Sequence, residues 1–88
     1  MIEKEVTISN QLGLHARPAA LLVKTVAKFS SSFTMVKNGV AINGKSIMSV
    51  MALAAEPGST LVLQMNGPDE IEAMEKVVEL FENKFEED

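Results

Sequence analysis

Three observations predict an α+β fold. Segments with a period of two and segments with a helical period follow one another in the order β-α-β-β-α-β-α. Asn38-Gly39 lies between two short strand-like runs and marks a tight hairpin. A chain of 88 residues, 47% of them hydrophobic, has room for one core and shows no linker or shift in composition. Residues 1–88 are therefore read as a single domain, in which a four-stranded, mainly antiparallel sheet carries three helices on one face. The pattern alone also allows a ferredoxin-like ordering of the same elements.

The first strand rests on the alternation of Ile2, Val6 and Ile8 with Glu3, Glu5, Thr7 and Ser9, interrupted on the inner row by Lys4. Asn10-Gln11-Leu12-Gly13 forms a loop. In the helix that follows, Ala19, Leu22, Val23, Val26 and Ala27 recur at the spacing of one buried stripe, and Ser30-Ser31-Ser32 ends it. Phe33–Lys37 and Val40–Asn43 are the strands of the Asn38-Gly39 hairpin.

A short helix is expected from Ser46 to Ala55, stopped by Glu56-Pro57-Gly58. Thr60 to Asn66 reads as a strand with Leu61, Leu63 and Met65 on one face. Gly67-Pro68-Asp69-Glu70 opens the last helix, whose apolar stripe is Ile71, Met74, Val78, Phe81 and Phe85, with Val77 beside it. Asp69 and Glu72 have the spacing of a capping box. The run is too short for a coiled coil, so the stripe is assigned to the core.

Composition removes several classes of function. The formal charge is −4 and the chain closes on Glu82-Asn83-Lys84-Phe85-Glu86-Glu87-Asp88, which disfavours a nucleic-acid backbone as partner. Without cysteine there is neither a disulfide framework nor a thiolate metal site, and one histidine does not build a histidine cluster; neither a metal nor a cofactor is expected. No apolar run is long enough to span a bilayer and none at the start reads as a signal peptide, so membrane insertion is not expected and a cytoplasmic location is.

The chemistry concentrates in Gly13-Leu14-His15-Ala16-Arg17-Pro18-Ala19. Pro18 is tolerated only near a helix start, where the backbone N–H groups lack intrahelical acceptors and the macrodipole is positive. Such an end binds anions. The positive helix end and Arg17 disfavour a further cation on His15, leaving a neutral imidazole whose lone pair can attack phosphorus. A phosphoryl group on the ring would then face the same N–H groups and the Arg17 guanidinium. Taken singly, His15 is a surface residue or cap and Arg17 a solvated charge. Their joint occurrence with Pro18 at a glycine-preceded helix start points to function.

Two blocks carry a family resemblance: Gly-Leu-His-Ala-Arg-Pro-Ala at 13–19 and Gly-Lys-Ser-Ile-Met-Ser-Val-Met at 44–51. With them the chain resembles, over essentially its whole length, the histidine-containing phosphocarrier proteins (HPr) of the bacterial phosphoenolpyruvate-dependent phosphotransferase system. The resemblance implies an open-faced β-sandwich. It further implies a carrier that is not an enzyme: His15 would take a phosphoryl group on Nδ1 from enzyme I and pass it to enzyme IIA domains, with Arg17 and the backbone N–H groups of Ala16 and Arg17 as stabilisers. The branch served is sugar uptake or a nitrogen-type regulatory one. A purely regulatory binding module, acting on transcription factors or enzymes, is the rival reading, and the presence of His15 speaks against it.

Partner contact is the remaining question. Leu21 falls off the buried stripe of the first helix. The second helix has almost no polar face, and its expected split buries Val50, Leu53 and Ala54 while leaving Ile47, Met48 and Met51 as an exposed patch. Packing noise, with no partner for the patch, is the competing account. The resemblance assigns Leu21 and this patch to docking of the upstream enzyme and the downstream acceptors. Ser46 is placed to cap the second helix. The resemblance adds regulatory phosphorylation of Ser46, and with it a serine kinase/phosphorylase and a catabolite-control transcription regulator as partners. Small transient interfaces make a monomer the expected state.

Overall fold

The computed structural model describes every residue except 54, 87 and 88. Among the described residues the elements are β1 (Ile2–Thr7), α1 (Ala16–Val26), β2 (Ser32–Lys37), β3 (Val40–Asn43), α2 (Ile47–Ala52), β4 (Thr60–Asn66) and α3 (Glu70–Glu82), followed by a 3-10 turn at Lys84–Glu86. The strands form one antiparallel sheet in the order β1-β4-β2-β3. β4 and β2 are therefore central and β1 and β3 are the edges, which is the open-faced sandwich rather than the ferredoxin-like ordering.

Register explains why one face is buried. Met35 lies opposite Leu63 and Leu63 opposite Lys4, while Phe33 lies opposite Met65 and Met65 opposite Ile2. Side chains alternate along a strand, so Phe33, Met35, Leu61, Leu63 and Met65 all point to the helices and are buried. Lys4 occupies that inner row but stays exposed, in a groove beside Glu75, Glu79 and Glu82 of α3. The Asn38-Gly39 hairpin has positive φ at both residues, 51° and 80°, as a two-residue turn of this hand requires.

The helices cover the sheet through Ala19, Leu22 and Val26 of α1, Val50 of α2, and Ala73, Met74, Val77 and Phe81 of α3. Several expectations change here. α1 ends at Val26, with Ala27 as its C-cap, before the serines are reached; Ala27 is exposed and Val23 only half-buried. α2 stops at Ala52, short of Ala55. Ile71 is not on the buried stripe of α3 but 66% exposed, because the helix turns small Ala73 toward the core in its place. Phe85 is buried, but not by helix extension. Lys84, Phe85 and Glu86 have φ of 52°, 54° and 63°, a left-handed turn that swings the Phe85 ring edge-on against Phe81, centroids 4.8 Å apart.

The capping box is absent as well: Asp69 makes no cap hydrogen bond. Its carboxylate instead accepts from the N–H groups of Ser30 and Ser31, each at 2.9 Å, and from both serine hydroxyls. The α1–β2 loop is thereby pinned to the start of α3. These bonds pull the Asp69 carboxyl down from 3.8 to about 2, with the Ser31 hydroxyl the largest cause. At the same helix start Glu70 accepts the Gly67 N–H at 3.0 Å, which, more than any other influence, holds its carboxyl below the ordinary range.

Candidate functional site

His15 is the N-cap of α1, with extended backbone (φ −79°, ψ −168°), and its carbonyl accepts the first intrahelical bond from the Ala19 N–H at 3.0 Å. Ala16 and Arg17 thus take the first and second helical positions and Pro18 the third. By position, the N–H groups of Ala16 and Arg17 have no acceptor inside the helix, and Pro18 has none to offer. The helix start accordingly presents two donors and the positive dipole end beside a half-buried imidazole. The proline is buried while Arg17 is exposed, so the guanidinium is available to an incoming anion.

The loop that delivers His15 is held at several points. The Gly13 N–H donates to the Asn10 carbonyl at 3.2 Å, and the Leu14 N–H to the Ala55 carbonyl at 2.9 Å. Gly13 has φ +68°, and a Cβ there would stand 2.3 Å from the Ala55 carbonyl oxygen. Glycine is needed on both counts, for the left-handed φ and for the close approach. Leu14 is buried, anchoring the chain one residue before the imidazole.

The second block lies on α2. Ser46 is its N-cap and its hydroxyl accepts the Ser49 N–H at 3.3 Å, as its position in the sequence led us to expect. Before it, a Cβ on Gly44 would fall 2.2 Å from the Phe33 ring, so glycine lets the turn close over that side chain. Lys45 donates through Nζ to the Phe29 carbonyl at 2.7 Å, tying α2 to the end of the α1 segment. Val50 is fully buried and Leu53 half-buried, while Met48, Met51 and Ile47 are 77%, 44% and 38% exposed. Ala54, also assigned to the buried side, lies outside the described residues. Leu21 is half-buried rather than solvent-facing: it packs on the core and shares a cavity of about 350 Å³ with Arg17, Pro18, Ala20, Phe85 and Glu86.

Two nearby residues carry no signal in the apolar pattern. Leu12, three positions before His15, is 70% exposed, and Asn10 is fully buried. An Asn-x-x-Gly turn is the only hint of the second.

A family model described as the PTS HPr component phosphorylation site matches residues 2–83. The chain belongs to the HPr phosphocarrier family. A phosphocarrier protein HPr of Treponema pallidum is 48% identical over 88 residues, covering the whole of both chains. Among solved structures, HPr-C-His from Thermoanaerobacter tengcongensis superposes with a TM-score of 0.97 at 45% identity, over 100% of this chain and 99% of the other. A structure of an HPr dimer from the same organism matches at 0.79 and 46% identity, covering 99% and 100%. As a member of this family the protein is a phosphocarrier of the phosphotransferase system and not an enzyme. None of its described helices is long and apolar enough to cross a membrane.

Proposed function

We propose that the protein relays a phosphoryl group through His15, from a phosphohistidine on enzyme I, charged by phosphoenolpyruvate, to the histidine of an enzyme IIA domain in the cytoplasm. The position of His15 as N-cap of α1, with the outward N–H groups of Ala16 and Arg17 one and two residues on, supports this most directly. In each transfer the N–P bond of the donor breaks as a new N–P bond forms at the acceptor ring. The two imidazoles exchange roles and no redox partner is required. The N–H groups of Ala16 and Arg17 and the Arg17 guanidinium are assigned to the phosphoryl oxygens, where charge-assisted bonds are strongest.

Ile47, Met48 and Met51, with Leu21 at the margin, are assigned to docking. Flexible methionines suit a surface that must accept several partners in turn. Ser46, at the edge of that patch, is assigned as a regulatory phosphorylation site for a serine kinase/phosphorylase, with a catabolite-control transcription regulator as reader of the modified form. A phosphate there would set a dianion beside the apolar patch and disfavour docking of acidic partners. The working species is a monomer, since transient relay contacts need the outer faces of α1 and α2 open; the dimer known for a relative is a competing state that sedimentation would reveal.

Incubation with phosphoenolpyruvate and enzyme I tests the relay. The expected result is an acid-labile phosphate on His15 that an enzyme IIA domain removes, and its loss in His15→Gln. A chain that takes no phosphate, or a His15→Gln variant that still supports transfer, would falsify the reading.

A further inference from the structure

We propose that Asn10 is a positioning residue for phosphoryl transfer at His15, acting through the peptide unit between Gly13 and Leu14. This deepens the relay reading and rests on it. Asn10 is 1% exposed and its Nδ2 donates to the Gly13 carbonyl at 2.7 Å. The same peptide unit donates at its other end, from the Leu14 N–H to the Ala55 carbonyl at 2.9 Å. Both polar ends of one planar group are therefore held, and a planar group held at both ends cannot rotate about the chain.

Asn10 also accepts the Gly13 N–H through its backbone carbonyl at 3.2 Å, so a single residue grips Gly13 on both sides. Only Leu14, itself buried, separates this clamp from His15. The direction in which the chain enters α1 sets where the His15 Cα–Cβ bond points relative to the N–H groups of Ala16 and Arg17. Burying an amide carries a desolvation cost that an aliphatic side chain would avoid. The 2.7 Å bond to the Gly13 carbonyl offsets part of it, and that same bond fixes the orientation of the peptide unit.

The competing account is an ordinary buried turn residue whose loss lowers stability alone. Asn10→Ala removes the clamp, and Asn10→Leu nearly keeps the size and shape of the side chain while removing its N–H donor. Val77→Ala, a buried change on α3, serves as the stability control. Phosphorylation by enzyme I is followed at saturating and subsaturating carrier, at a temperature well below each melting point.

Misplacement of a reacting group by about 1 Å costs up to about a hundredfold in rate. The expected result for both Asn10 variants is therefore a fall of about tenfold or more in the saturating transfer rate, with KM changed by less than about twofold. Val77→Ala should melt earlier and transfer normally. Folded Asn10 variants that transfer at the wild-type rate overturn the role of Asn10 and leave the relay intact. Equal rate losses in Val77→Ala, or Asn10 variants with no folded state, also overturn it, since Asn10 then serves the fold alone. A wild-type chain that takes no phosphate overturns the relay, and this role with it.

Discussion

The Leu14 N–H donates to the carbonyl of Ala55 across 2.9 Å, joining the loop before His15 to the turn that follows α2. Gly13 sits against that same carbonyl, with no room for a Cβ and with φ +68°. Gly13→Ala must therefore push the loop away from Ala55 or strain it in place. A loss of more than about 1 kcal/mol of stability is expected, read from denaturant midpoints. Phosphoryl uptake should fall beyond what stability explains, because the loop carries the N-cap of α1. Uptake at the wild-type rate in a folded Gly13→Ala would detach the loop from the chemistry.

The close contact of Gly44 with Phe33 leads to a second prediction. The ring of Phe33 is buried and a methyl at 44 would overlap three of its atoms. Overpacking of this kind typically costs about 1–3 kcal/mol. Trimming the ring in Phe33→Leu/Gly44→Ala should recover part of the loss, so the double variant is expected to be less unstable than the two single changes added together. Strict additivity would mean that the two positions do not compete for the same space.

Asp69 governs behaviour in acid. Its carboxyl is lowered to about 2 by the Ser31 hydroxyl and the Ser30 and Ser31 N–H groups, so the folded state binds this proton less readily than the unfolded chain. Its contribution to stability is thus fully present above the ordinary 3.8 and is lost as the pH falls through about 2. Asp69→Asn should lower the melting temperature near neutral pH and show a shallower decline between these two values than wild type. Parallel melting curves for the two proteins over that window would rule Asp69 out as a contributor to acid unfolding.

These cases also show where sequence reading reaches and where it stops. Local signals translated directly: the alternation in Thr60–Asn66 became β4 with the same bounds, and Asn38-Gly39 became the hairpin turn. The helix start at His15 followed from a proline and an arginine within three residues. What was not legible depends on partners distant in the chain. Asp69 resembles a helix cap by spacing, yet its acceptor atoms meet serines 38 and 39 residues earlier. Ile71 outranks Ala73 in hydrophobicity, but α3 turns the smaller residue toward the core. Phe85 reaches the core only through a left-handed turn, a conformation that costs non-glycine residues roughly 1–2 kcal/mol each and that no helical periodicity anticipates.

The exposed methionine of α2 separates docking from folding. Met48 is 77% exposed, so Met48→Ala removes little that the fold needs. If the patch receives enzyme I, the apparent KM for transfer should rise by about tenfold, the scale of one interface residue worth more than 1 kcal/mol, with the melting temperature unchanged. An unaltered KM would move the docking surface elsewhere, with Leu12 as the next residue to test.

Ser46 carries two assignments that one pair of variants can pull apart. As N-cap, its hydroxyl accepts the Ser49 N–H, and alanine forfeits that bond at a cost of about 0.5–2 kcal/mol. Aspartate caps as well as serine does and suits the positive helix end, so Ser46→Asp should melt near wild type. Docking responds the other way. Aspartate brings a negative charge to the edge of the Ile47, Met48 and Met51 patch, raising KM for enzyme I, whereas alanine leaves that surface uncharged and KM nearly unchanged. Crossed effects, with stability lost in one variant and affinity in the other, are expected from calorimetry and transfer kinetics run side by side. If Ser46→Asp docks as well as wild type, charge at this helix start does not control the relay, and Ser46 is left with its structural role as a cap.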